Sequence, residues 1–254
     1  MKKIIFPLFA LWIALTTSCS KQAGIDIKGI QYGTIQQFNQ LGDTWIGTWA
    51  DDDHIYSVAD DCTTDSATSN LALFRLKGED PLQLKLEMIN PMLEYGKICE
   101  LDADSLAWKA SGITCIDGIL YMFVSRHDYP WRNHALTDNR QTAQDGSIIK
   151  STDHGKTWFR SARENSESPM FPGRRFAAGF FIEYGKDGKA GPDGSGKYVY
   201  AVANDGFWNN GNDLILGRVL RTKLPNLNSK DWEFYQGDGT NGKNDYWITD
   251  MNAV

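Results

Sequence analysis

Proline is scarce, with 8 in 254 residues, and this together with 41% hydrophobic and 12% aromatic residues excludes disorder as the bulk state. A basic excess is missing too. Lys and Arg number 26 against 32 Asp and Glu, a net charge of −6 with no basic stripe, so attraction to phosphates has no source and nucleic acid is excluded as a partner. The 4 histidines are scattered and no Cys or His pair has zinc-ligand spacing. No Gly-rich phosphate loop, Gly-x-Ser-x-Gly elbow or His-Glu-x-x-His pair occurs. Helical patterning is also thin: residues 30–42 and 90–102 have room for a short turn each, and 161–173, rich in Ser, Glu and Pro, reads as a surface loop. Long apolar runs are limited to Ile4–Leu15, too short to stay across a bilayer.

That run has a different use. Lys2 and Lys3 precede it, and Thr16, Thr17 and Ser18 lead to Cys19, the order of a signal peptide (1–18) followed by a lipidated cysteine. It resembles the looser lipoprotein signal of Bacteroidetes, with Thr16 where Leu is usual. The expected mature chain starts at Cys19, holds 24 basic and 32 acidic residues, and is anchored to the bacterial cell envelope at the outer membrane. Residues 19–40 read as a linker and 41–254 as the folded domain. In an oxidising compartment Cys62, Cys99 and Cys115 permit at most one disulfide; a Cys62–Cys99 bridge is open but has no spacing rule behind it, and Cys115 in its apolar run reads as a small buried hydrophobe.

What the chain does have is 9 Trp, 10 Tyr, 12 Phe and 24 Gly, the makings of short strands and many turns. The most specific motif is Ser151-Thr152-Asp153-His154-Gly155-Lys156-Thr157-Trp158, which matches the Asp-box at every defined position. Physically it is a turn device: the Asp accepts from turn amides, Gly supplies a positive φ and Trp packs the turn down. In sialidase-like propellers the box is structural, so Asp153 and His154 are not read as catalytic.

Around the box a unit repeats. Its first half is a strand, a polar turn and a Tyr-bearing strand: Thr44–Trp49 with Ile55–Ala59, Ser111–Ile116 with Ile119–Val124, and Phe176–Tyr184 with Tyr198–Ala203. Its second half pairs Leu71–Leu76 with Leu82–Met88, Ser147–Lys150 with Thr157–Arg160, and Leu214–Arg221 with Trp232–Tyr235. Four antiparallel strands per unit are the content of one propeller blade. Tyr56, Tyr121 and Tyr200 lie 65 and 79 residues apart, so the chain holds about three units, and Asp245–Asp250 reads as the start of a fourth. The expectation is therefore an all-β chain: a β-propeller of four-stranded antiparallel blades, incomplete at its C-terminal side.

In such blades the residues before the first strand and after the second surround a common funnel. They supply Asp43, Asp61 and Asp205 as candidate acid and base residues for sugar chemistry, with Trp45, Lys109, Arg126, His127, Arg174, Arg175, Asn204, Trp208 and Tyr246 as candidate substrate contacts. The arginines suit a carboxylate or sulfate, and His127 with Tyr246 suits proton abstraction in a polysaccharide lyase. No cofactor is required. Asp187–Gly196 and Asp238–Asp245 contain Asp, Asn and Gly that could cradle Ca2+, without EF-hand ligand order.

Thr48-Trp49-Ala50-Asp51-Asp52 followed by Tyr56 and Asp61, with Ser111-Gly112-Ile113-Thr114, Leu120-Tyr121 and the Asp-box, resembles a family of bacterial propeller proteins. Its members are uncharacterised or polysaccharide-acting, often Bacteroidetes lipoproteins, and some relatives are similar to endo-acting arabinofuranosidases. The resemblance covers roughly residues 40–250. It departs at Asp60-Asp61-Cys62, where Gly-Asp-Gly is expected, and at Asn204-Asp205-Gly206, where a His-containing turn is expected. It implies a glycoside hydrolase acting on an extracellular polysaccharide or oligosaccharide; a non-catalytic glycan-binding lipoprotein and a lyase are the alternatives.

Overall fold

The computed structural model describes residues 29, 33, 35–63, 68–80, 82–98, 100–129, 141–190, 196–208, 211–237 and 246–254. Two compact units are present, Met1–Ile35 and Gln36–Val254. Of the first, only Gly29, Gly33 and Ile35 are described; the signal segment, Cys19, Cys99 and the Asp238–Asp245 stretch lie outside the described residues.

The second unit is all-β, with three antiparallel sheets and almost no helix. The first sheet runs in chain order: β1 (Leu41–Trp49), β2 (Ile55–Thr63), β3 (Thr68–Lys77) and β4 (Lys85–Asn90). The second holds β5 (Ala107–Ile116), β6 (Ile119–Asp128) and β7 (Thr142–Ser151). Asp117 and Gly118 form a two-residue β5–β6 turn with φ of 53° and 73°, the handedness that a tight hairpin needs. The fourth strand expected at Thr157–Arg160 shrinks to one bridge, Lys150 with Phe159. The third sheet contains β8 (Phe180–Phe181), β9 (Tyr198–Asn204), β10 (Leu214–Leu220), β11 (Trp232–Tyr235) and β12 (Trp247–Ile248).

Two expectations change here. The segment read as opening a fourth unit instead extends the third sheet, because Trp247 pairs with Tyr235 and its ring lies 5.4 Å from the Tyr235 ring and 3.8 Å from the Arg218 guanidinium. The 161–173 loop contains a helix, α1 (Ala162–Glu167), started by a capping box in which Ser161 and Glu164 satisfy each other's amides. None of the helices among the described residues is long and apolar enough to cross a membrane.

The middle sheet is buried on both sides, and β6 shows why its sequence is a continuous apolar run. Leu120, Met122 and Val124 join Tyr56, Val58, Leu71 and Leu73 in one core, while Tyr121 and Phe123 on the other face join Phe171, Phe176, Trp232 and Phe234. Close approach is needed on the second side: a Cβ on Gly146 would sit 2.3 Å from the Ala177 carbonyl oxygen. The turn after β7 is held by Asp153, whose Oδ1 accepts from Ser151 Oγ at 2.8 Å and Thr157 N at 2.9 Å and whose Oδ2 accepts from Thr157 Oγ1 at 2.7 Å.

Candidate functional site

Strand tips of all three sheets meet at the end opposite the hairpin turns. They line a pocket of about 250 Å³ formed by Asp43 and Thr44 (β1), Asp60 and Asp61 (β2), Lys109 (β5), His127 and Tyr129 (the end of β6), Gln141 (before β7) and Trp208 (after β9). The third sheet is fastened here by main-chain bonds from Trp208 N to Gln141 O and from Ala143 N to Gly206 O, each 2.9 Å.

Local backbone conformation decides who faces the pocket. Thr44 and Asp61 have φ of 47° and 49°, left-handed values at the irregular end of the β1–β2 ladder. The kinks override strand alternation, so that adjacent residues Asp43 and Thr44, and Asp60 and Asp61, line one pocket. Alternation persists in the second sheet. Lys109 and His127 reach the pocket while their neighbours Trp108 and Arg126, paired in register, pack together elsewhere with the guanidinium 4.5 Å from the indole.

The electrostatics are uneven. Asp60 is buried; its Oδ2 accepts from Thr44 Oγ1 at 2.9 Å and its Oδ1 from Ala110 N at 3.1 Å. Burial pushes its carboxyl up to about 7, outweighing the pull of Lys109. Lys109 Nζ is 2.6 Å from Asp61 Oδ1, with the lysine 5% and the aspartate 32% exposed. Burial works to lower the lysine, yet Asp60, Tyr129 and Asp61 together hold it above its ordinary value. His127 is buried, its Nε2 2.9 Å from Gln141 Oε1 and its Nδ1 without a hydrogen-bond partner among the described residues. Burial drives it down to about 4, so the ring is neutral at pH 7. Its ring centroid lies 4.5 Å from Tyr129 and 4.9 Å from Trp208.

Of the residues picked out in the sequence, Asp43, Asp61, Lys109, His127 and Trp208 meet in this pocket. The others do not line it. Arg126 is drawn to Asp102 and Asp104, which occupy both of its terminal nitrogens. Arg174 is exposed and lies 5.9 Å from the Phe207 ring, and Arg175 donates to the Val254 carbonyl. Asn204 folds the turn before Trp208, accepting from Gly206 N at 2.9 Å and donating to the Phe207 carbonyl. Asp205 accepts from Asn212 N at 3.4 Å, and Tyr246 leads into β12. Trp45 packs 4.9 Å from Phe74 in a separate cleft of about 360 Å³, bordered by Gln36, Phe38 and Leu86 and free of ionisable groups. That cleft is larger, but the ionisable side chains line the smaller pocket. Sequence reasoning passed over Thr44, Tyr129 and Gln141, which carry no motif. Cys62, at 1% exposure, is a free thiol.

No protein-family model matches the chain, and no curated protein does. Solved structures to which it is similar include a provisionally assigned hydrolase of Bacteroides ovatus, at 13% identity and a TM-score of 0.48, covering 82% of this chain and 54% of that one. A Hadza microbial sialidase matches at 13% identity and 0.35, covering 69% and 30%. A protein of unknown function from Dyadobacter fermentans matches at 10% and 0.35, covering 79% and 52%. The chain spans about half or less of the length of each.

Proposed function

We propose that the chain forms blades of a β-propeller and that the pocket binds and hydrolyses an extracellular polysaccharide, in a protein exported and lipid-anchored to the cell envelope through Cys19. Three consecutive antiparallel sheets packed face to face support the propeller reading. The observation that carries the chemistry is the meeting, in one pocket, of three aspartates, a buried lysine, a neutral histidine and an indole from three sheets. Glycoside hydrolysis needs one carboxyl holding a proton and another without it. In this reading Asp60, with its pKa near 7, protonates the leaving oxygen. Asp61, beside Lys109, prepares the attacking water, and Asp43 at the exposed rim binds sugar hydroxyls. Trp208 stacks on a sugar ring, while Gln141 and His127 hydrogen-bond hydroxyls. Arg126, Arg174, Arg175 and Asp205 have no part in this version.

A lyase is the second reading, favoured by the neutral imidazole of His127 packed against Tyr129 rather than the Tyr246 expected from sequence. The two separate by product. Purified protein incubated with a panel of acidic and neutral polysaccharides should release reducing ends without ultraviolet absorbance if a hydrolase, and an absorbing unsaturated uronide if a lyase. Calorimetric binding with no product over days would leave glycan binding alone.

A further inference from the structure

A second cluster of ionisable groups occupies the hairpin-turn end of the same strands, away from the pocket. Asp51, in the β1–β2 turn, places Oδ1 3.0 Å from His154 Nε2 and 3.8 Å from Cys115 Sγ. That sulfur, fully buried near the end of β5, lies 3.4 Å from Oδ1 of Asp187, whose side chain is 4% exposed. A thiol and two carboxylates thus converge from three segments, the β1–β2 turn, β5 and the loop after β8, with their ligand atoms all within 4.8 Å of one another, while His154 groups with Asp51 and Asp52 beside them.

We propose that Asp51, Cys115 and Asp187 bind one zinc-class divalent ion, with solvent completing the coordination and His154 positioning the Asp51 carboxylate from outside. Three arguments converge. The first is spacing: a tetrahedral ion with bonds of about 2.0–2.3 Å sets its ligand atoms about 3.3–3.7 Å apart, and Cys115 Sγ stands 3.4 and 3.8 Å from the two carboxylate oxygens, all three atoms lying within 4.8 Å of one another. The second is donor chemistry: a thiolate favours zinc over calcium or magnesium, which take oxygen ligands. The third is support from the surroundings. Gly118 N donates to Asp187 Oδ1 at 2.8 Å, and Lys189 Nζ lies 3.2 Å from the other carboxylate oxygen. The His154 ring stacks on Tyr56 at 5.6 Å and 13°, and the Tyr56 hydroxyl donates to Asp52 at 2.8 Å.

Asp51 and His154 are 38% and 35% exposed, leaving the ion a way in from solvent while Cys115 and Asp187 close the inner side. On binding, the Cys115 thiol gives its proton to water, so one proton leaves per ion bound. The ion clamps the turn ends of all three sheets, a structural role independent of the pocket chemistry. The sequence hid it because residues 51, 115 and 187 fit no ligand spacing.

The test uses the tag-free full chain, stripped with chelator and titrated with Zn2+ by calorimetry and Co2+ by absorption. Expected are one ion per chain, a thiolate-to-cobalt charge-transfer band that Cys115→Ser abolishes, and zinc affinity at least about tenfold weaker in Cys115→Ser and His154→Gln. Failure of the folded wild-type protein to take up zinc, a cobalt spectrum with no thiolate band, or equal affinity in folded variants overturns the proposal. Should a variant fail to fold, the wild-type cobalt spectrum decides alone.

Discussion

Lys109 and Asp61 form an ion pair of 2.6 Å in which the lysine is almost wholly buried and the carboxylate a third exposed. The lysine sits between that carboxylate and the buried Asp60, which depends on it for positive charge. Lys109→Met should therefore cost about 2 kcal/mol, below the figure for a fully buried pair because solvent screens Asp61. Urea unfolding checks this; a loss under about 0.5 kcal/mol would mean that the lysine adds nothing net to the fold.

Asp60 and His127 give opposing pH dependences. Asp60, raised from 3.8 to about 7, binds a proton in the native state that the unfolded chain lacks, so its contribution falls as pH rises through that window. His127, lowered from 6.5 to about 4, makes the unfolded chain the better proton binder, so its contribution is lost as pH falls from 6.5 towards 4. In the wild type the two largely cancel. Relative to wild type, Asp60→Asn should gain stability as pH rises from 4 to 7, and His127→Phe should lose it from 4 to 6.5, each by up to about 1.4 kcal/mol per pH unit. Parallel stability curves for wild type and both variants would refute the assignments.

The turn after β7 offers a purely structural test. A Cβ on Gly155 would fall 1.9 Å from Leu73 Cδ2, and its φ of +87° strains any other residue. Gly155→Ala should destabilise by about 2–3 kcal/mol, and Asp153→Ala, which strips three hydrogen bonds from a half-exposed turn, by about 1–2 kcal/mol. Calorimetric melting orders the two, with Gly155→Ala expected lower.

These residues also mark how far the sequence could be read. Hairpins announced by Asp51-Asp52-Asp53 and Asp117-Gly118 formed where turn chemistry put them. The meeting of Asp43, Asp61, Lys109, His127 and Trp208 in one pocket was legible, because repeat position fixes which strand tips meet. Arg126, expected at the funnel, lies outside the pocket because alternation turns it away, towards partners in an irregular segment, Asp102 and Asp104, that carries no pattern. Asp60 falls at the same rim as Asp61, but its raised carboxyl comes from burial, which no sequence pattern announces. The Ser161–Glu164 capping box was present in the sequence but obscured by surrounding Ser and Pro.

Trp208 forms an aromatic wall of the pocket, at 4.9 Å and 76° to His127. Trp208→Ala should weaken glycan binding about tenfold, in line with about 1–2 kcal/mol for an aromatic platform, while the fold survives because the indole is only partly buried. Calorimetric titration with the best oligosaccharide checks it; unchanged affinity would move the sugar away from this wall.

The most direct test is a crystal structure of Asp61→Asn, slowed in turnover, soaked with an oligosaccharide from a polysaccharide that the wild-type protein degrades. The account predicts a sugar ring stacked on Trp208, with its glycosidic oxygen within hydrogen-bond reach of Asp60 and the side chain at position 61. Sugar bound only elsewhere, with the pocket holding nothing but water, would contradict it.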